Sequence, residues 1–315
     1  MKLQFDKQIC WLVGGVLVLL MLSSLAGWVL SLRLTDGRGR DTVQNLNARI
    51  RAWWIMVMVF GLAMATGGIG SIVLFGLVSF LALREFITLT PTRLGDHRTL
   101  FWVFFVILPL QYYLIAIKWY GLFAILIPVY AFLFIPIRSA LCGDCERFLE
   151  RTSKIQWGLM ICVYCVSYVP ALLDLDIPGY QGQNGKLMFY FVLVAQISDV
   201  LQYVWGKSIG GPKIVPTVSP NKTWAGFIGG ITSATLVGAA LWWATPFTPL
   251  ESAAMSLLIT LLGFGGGLVM SAIKRDLGIK DYGTLIEGHG GVMDRIDSLC
   301  FAAPVFFHVT RQFFA

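Results

Sequence analysis

Thr99-Leu-Phe-Trp-Val-Phe-Phe-Val-Ile-Leu-Pro-Leu-Gln-Tyr-Tyr-Leu-Ile-Ala-Ile117 holds no charged residue over nineteen positions. At about 1.5 Å per residue such a run, wound as a helix, spans the ~30 Å hydrocarbon layer of a bilayer. The rest of the chain repeats the pattern. Further apolar runs lie at 10–32, 52–64, 68–83, 120–137, 155–173, 187–205, 224–243, 253–273 and 298–314. The second and third are short, tilted, or halves of one broken unit around Gly67-Gly68-Ile69-Gly70. Hydrophobic residues make up 57% of the 315, and charged ones only 13%. A soluble domain carries about 25% charged residues. Together with a mean hydropathy of +0.74, this predicts an all-α, polytopic membrane protein of about ten transmembrane helices. The apolar surplus cannot be hidden inside one soluble core of this size.

The charges sort with that count. Ten spans put the segments 33–51, 84–99, 138–154, 206–223 and 274–297 on one side, and these hold 19 of the 24 Lys and Arg residues. Lys2, Lys7, Lys118, Lys186 and Arg311 are left for the other side. Basic residues collect in cytoplasmic loops, so the long loops are expected in the cytoplasm, both termini outside, and the first run as a retained anchor. The net charge of +7 then reports topology. A nucleic-acid partner is not expected, because no basic soluble domain is there to bind one. No repeat or linker divides the chain. It reads as one membrane domain over 1–315, with 1–186 as scaffold helices and 187–315 carrying the site.

Six cysteines include the pairs Cys142/Cys145 and Cys162/Cys165, a spacing shared with four-thiolate zinc sites. The second pair lies in an apolar helix, where small buried hydrophobes are the simpler reading. A disulfide is not expected in a cytoplasmic loop.

The polar chemistry gathers late. Between two spans come Lys274-Arg275-Asp276, Lys280-Asp281, Glu287-Gly288-His289-Gly290-Gly291 and Asp294-Arg295-Ile296-Asp297. Carboxylate oxygens suit Mg²⁺, Lys and Arg neutralise phosphate oxygens, and glycines admit a phosphate close to the backbone. Asp294 and Asp297 share a helical face, which allows one cation between them; first-turn capping is the alternative. Asp199 lies inside the seventh span with Gln196 and Gln202 on its face. It reads as an intramembrane functional group or as a hydrogen-bonded anchor between helices. Lys207, Lys213 and Lys222 line a loop stiffened by Pro212, Pro216 and Pro220. There Ser219-Pro220-Asn221-Lys222-Thr223 opens the eighth span, as an anion site at a helix N-terminus or as an ordinary N-cap.

The run Ser271-Ala-Ile-Lys274-Arg275, Lys280-Asp281-Tyr-Gly283, Gly288-His289-Gly290-Gly291-Val-Met-Asp294-Arg295-Ile-Asp297 resembles the hallmark motif of the CDP-diacylglycerol synthases, or phosphatidate cytidylyltransferases. Ser219–Trp224 resembles a second stretch of that family, and Asp199 with Tyr203 and Gly206 a third. The resemblance covers roughly the last third of the chain. It implies transfer of a cytidylyl group from CTP to phosphatidate, giving CDP-diacylglycerol and pyrophosphate. It also implies dependence on Mg²⁺, with a monovalent cation such as K⁺ as a candidate neighbour. Carried over by position, Asp281 and Asp294 are the first metal candidates, with Asp199 and Asp297 second. Lys274, Arg275, Lys280 and His289 join Asp281 and Asp294 as candidate catalytic residues. Lys222, Ser219, Thr223, Lys213, Lys207, Gly290, Gly291 and Arg295 are candidates for binding substrate. The nucleophile is already an anion near neutral pH, so His289 is expected to donate a hydrogen bond rather than act as a base. The expected setting is a bacterial inner membrane, the site facing the cytoplasm, with a homodimer allowed.

Four positions depart from the family pattern: Glu287, Ala225, Gln202 and Asn221. They bear on rate and on lipid identity. Two other readings stand beside this one. A CTP-dependent polyprenol or lipid kinase would release CDP. A transporter or non-catalytic lipid-binding protein would use Asp199 and the Gly263–Gly267 stretch for movement or close packing.

Overall fold

Long apolar runs need every backbone N–H and C=O satisfied within the segment, and helices provide this in lipid. The computed structural model describes residues 7–33, 37–286 and 290–315, with 37–42 described by backbone alone. Its helices, in chain order, are α1 (Lys7–Arg33), α2 (Gly37–Ala65), α3 (Gly68–Thr88), α4 (Leu94–Ala116), α5 (Tyr120–Ala140), α6 (Phe148–Asp174), α7 (Asn184–Ser208), α8 (Trp224–Ala240), α9 (Pro249–Asp276) and α10 (Met293–Phe314). Eight are long and apolar enough to cross a membrane; α8 is shorter, and α10 begins with charged residues. The described residues form no sheet, only the isolated bridges Lys213–Thr223 and Ile286–Gly290. The protein is all-α and multi-pass.

Several boundaries differ from the sequence expectation. Most of the segment 33–51 is not a loop, because α2 starts at Gly37 and runs unbroken through it. Arg, Gln, Asn, Leu and Ala there continue the helix past the apolar part at little cost in propensity. Runs two and three are two helices, separated where Gly67 takes φ 83°, a conformation that stops α2. Likewise α6 starts at Phe148, seven residues ahead of its apolar run.

Prolines mark irregular turns. In α4 a π turn at Val103–Ile107 precedes Pro109, and in α5 Pro128 lies within a π turn at Leu126–Ala131. A proline lacks its N–H and crowds the carbonyl four residues back, and π turns absorb both defects. For Pro128 that carbonyl belongs to Ala124, and the Tyr164 hydroxyl from α6 donates to it at 3.1 Å.

The last four helices pack through glycines. A Cβ on Gly226 of α8 would stand 2.7 Å from the Gln202 carbonyl of α7, and one on Gly230 would stand 2.6 Å from Gln202 Cα. Backbones that close need a residue without a side chain. Farther along, Tyr190 of α7 bonds the Ser256 hydroxyl of α9 at 2.6 Å. This packing holds the basic and acidic ends of α7, α9 and α10, and the start of α8, at one end of the bundle.

Candidate active site

Asp294 stands in the first turn of α10, where a carboxylate is stabilised by the helix N-terminus. Its Oδ1 accepts from Lys274 Nζ at 2.9 Å, across from the end of α9. Its Oδ2 accepts two backbone N–H groups, from Tyr282 and Gly291, each at 2.9 Å. The side chain is only 4% exposed. Asp294 therefore ties both ends of the α9–α10 connection to α10 and pairs with Lys274. The Tyr282 hydroxyl donates to the Met270 carbonyl at 3.1 Å, and burial, then the nearby Asp294 charge, pushes its pKa up.

A second group lies deeper. Lys222, just ahead of α8, reaches Gly267 of α9, where a Cβ would stand 2.9 Å from its Nζ and 3.7 Å from Asp297 Oδ2. A glycine at 267 leaves room for both groups beside the α9 backbone, and Lys222 Nζ donates to the Phe264 carbonyl at 3.4 Å. Lys222 also lies over the Phe264 ring, 4.4 Å from its centroid. Asp297 Oδ1 accepts the Ser298 N–H at 2.8 Å. Asp199 of α7 is near enough to interact with Asp297, Lys222 and Arg295, and it is exposed rather than sealed in. Burial pushes the Lys222 ammonium pKa down, and Asp297 and Asp199 oppose the shift. Beside them, Arg295 Nε is buried without a hydrogen-bond partner, and the buried Ser298 side chain lies close to Asp199. Gln196 of α7 donates to the Arg295 carbonyl at 3.1 Å and so fixes α7 on α10.

The remaining residues form a rim. Asp281, Lys280, Arg275, Lys207 and Lys213 are exposed. Arg275 donates to the carbonyls of Val218 and Ile279, each at 3.2 Å, and pins the α7–α8 loop to the end of α9. Lys207 donates to its own helix neighbour Tyr203 at 3.3 Å. Thr223 is the N-cap of α8: its buried hydroxyl accepts from Gly226 at 3.1 Å, and the Trp224 N–H bonds the Pro212 carbonyl. That start of α8 is closed by its own residues. Ser219 is half-buried in the turn before it, its N–H on the Val215 carbonyl. Glu287 and His289 lie outside the described residues.

The site is thus an interleaved set of carboxylates and cations at one end of a helical membrane protein. Comparison with known proteins gives the family of the chain. The model of the cytidylyltransferase family matches residues 47–313. The chain belongs to the cytidylyltransferase family. It is 40% identical over 304 residues to the uncharacterized protein YnbB of Escherichia coli strain K12, covering 95% of this chain and 97% of that one. It is 39% identical over 129 residues to the phosphatidate cytidylyltransferase of Brucella abortus biovar 1, covering 38% of this chain and 45% of the relative. For the phosphatidate cytidylyltransferase of Staphylococcus aureus strain COL the figures are 33% over 157 residues, 49% and 60%. The chain spans about half the length of these named cytidylyltransferases.

In this family member the scaffold also contributes to the site. Glu85, near the end of α3, places Oε1 3.0 Å from the Val292 N–H and Oε2 2.9 Å from the Met293 N–H. It caps α10 from outside. The sequence signal was slight: one acid just past an apolar run, in a segment read as a loop.

The described residues bring carboxylates together in two places. Among the described residues no three of His, Cys, Asp and Glu gather closely enough to form a metal cage. Mg²⁺ does not require one, since it is commonly held by one or two carboxylates plus substrate phosphates and water. Asp199 and Asp297, two neighbouring carboxylates with the Ser298 hydroxyl beside them, fit that pattern. Asp281 and Asp294 flank Gly290, where a Cβ would stand 3.2 Å from Asp281 Cβ and 2.7 Å from Asp294 Oδ2; Asp294 also accepts from Lys274, Tyr282 and Gly291, which leaves a lone pair for a cation. The cysteine pairs do not join the site: Cys142 donates to the Gly95 carbonyl at 3.1 Å, and buried Cys162 packs on Met293.

Proposed function

We propose that this protein transfers a cytidylyl group from CTP to the phosphate of phosphatidate. A phosphatidate oxygen forms a bond to the α-phosphorus of CTP, and the bond between that phosphorus and the α–β bridging oxygen breaks. CDP-diacylglycerol and pyrophosphate are the products. The observation that carries the reading is Lys222 and Asp297 gathered beside Gly267 with Asp199 near both, at one end of a multi-pass member of the cytidylyltransferase family. Such transfer depends mainly on positioning and on neutralising phosphate charge. Mg²⁺ held by Asp199 and Asp297 would supply Lewis-acid neutralisation of phosphate oxygens. Lys222 would hold a phosphate oxygen from the opposite side. Exposed Lys280, Arg275, Lys207 and Lys213 would draw the polyanionic nucleotide toward the rim. Asp294 would keep Lys274 and the α9–α10 connection in place. The sorting of basic residues supports an inner-membrane setting with this end in the cytoplasm, where CTP is. The lipid would enter sideways from the bilayer.

The test is turnover by the purified protein with CTP, Mg²⁺ and phosphatidate, with lipid and nucleotide products weighed by mass spectrometry. CDP-diacylglycerol and pyrophosphate are expected, with loss on chelation. Release of CDP in the presence of a polyprenol would replace the reading with a kinase. No product from any lipid phosphate or alcohol would leave a non-catalytic relative.

A further inference from the structure

We propose that Glu85 is a positioning residue for cytidylyl transfer, acting through the start of α10 on Asp294 and Asp297; this rests on the function proposed above. The first N–H groups of a helix have no partner inside it, and they attract an anion. Here the anion is supplied from within the chain. Glu85 takes two of these N–H groups, one on each carboxylate oxygen, at 3.0 and 2.9 Å. Charge-assisted bonds of this kind are stronger than neutral ones and fix direction.

The glycines around it complete the argument. A Cβ on Gly283 would stand 2.7 Å from Glu85 Oε1, and one on Gly291 would run into Oε2. Both glycines are therefore walls of a socket for a side chain of α3. A substrate phosphate cannot use these N–H groups while Glu85 holds them. Phosphate binding is left to Lys222 and the rim cations. Asp294, one residue past the clamp, and Asp297, one turn farther, ride on the helix start that Glu85 fixes. A shift of about 1 Å at such groups costs roughly 100-fold in rate.

The test uses the full-length protein with E85Q and E85D. Glutamine keeps the shape but replaces one acceptor with a donor; aspartate keeps the charge but is one methylene short. Backbone hydrogen exchange needs no substrate and reads the clamp directly. In both variants the amides at 290–296 are expected to exchange about tenfold faster or more, with α7 and the middle of α3 unchanged. In turnover, kcat is expected to fall about 100-fold while KM for CTP stays within about twofold. Unchanged exchange at 290–296, or unchanged kcat, overturns the proposal. So does protection lost evenly across α3, α7 and α10 in both variants, which would make Glu85 a support of the whole bundle. If exchange responds but wild-type protein turns over no lipid phosphate, the clamp stands and the reaction is the part to discard.

Discussion

At the scale of single residues, Asp297 and Lys222 carry the sharpest consequences. Asp297→Asn keeps the size but removes the charge that a cation and Lys222 would both use. Turnover is expected to fall about 100-fold or more, with the protein still inserted and its melting temperature within a few degrees of wild type. Lys222 gives a pH dependence. Its ammonium is desolvated, so its pKa lies below the ordinary lysine value of 10.5. The charged form is present at lower pH and is lost as pH rises through the lowered value. A profile of kcat/KM should therefore bend downward before pH 10.5, and Lys222→Arg, which holds its proton, should remove that bend or abolish turnover. An identical bend in the arginine variant would assign it elsewhere. For stability the sign is opposite: holding a desolvated ammonium costs the fold, and the cost fades as the group deprotonates. The sequence alone pointed to the late charged run and to Asp199, because ionisable groups in or beside apolar spans stand out. The family resemblance puts Asp281 and Asp294 ahead of Asp199 and Asp297 as metal candidates. The bonds of Asp294 to Lys274, Tyr282 and Gly291 come from the fold, and no spacing rule reports them.

At the scale of elements, the contact of α8 on α7 is tested by Gly230→Ala. One methyl group would have to enter a space that Gln202 already fills, at 2.6 Å from its Cα. Overpacking of this kind costs about 1–3 kcal/mol, so a lower melting temperature in detergent is expected, with activity lost because Asp199 lies on α7 and Lys222 leads directly into α8. Gly14, with nothing within 4 Å of its would-be Cβ, is the control: Gly14→Ala should be silent. A buried ion pair offers a second check. Arg151 of α6 and Asp96 of α4 meet at 3.1 Å with side chains 5% and 1% exposed. Arg151→Ala leaves Asp96 buried and unpaired and should cost about 3–5 kcal/mol in unfolding measurements. Elements with one signal were easy to read: every apolar run became a helix. Elements with two competing signals were not. The polar half of α2 reads as a loop when charge marks a boundary, yet a helix can leave the membrane without ending. The break at Gly67 was visible as a glycine cluster, and its exact place was set by one positive φ.

At the scale of the whole molecule, orientation is the testable quantity. Cys145 is exposed in the connection between α5 and α6, on the side of the 138–154 segment. Asp176 is exposed in the connection between α6 and α7, toward the other face. In intact spheroplasts a membrane-impermeant maleimide should miss Cys145 and react with Asp176→Cys protein, and permeabilisation should expose Cys145. The reverse pattern would put the charged site outside, away from CTP. The clamp on α10 also has a consequence in time. Glu85 and its partners are separated by 207 and 208 positions in the chain. At about 5–20 residues per second, the ribosome takes roughly 10–40 s to deliver α10 after α3 has emerged. Through that interval the half-built bundle holds Glu85 without the two N–H groups it caps, so the clamp closes only when the final helix arrives.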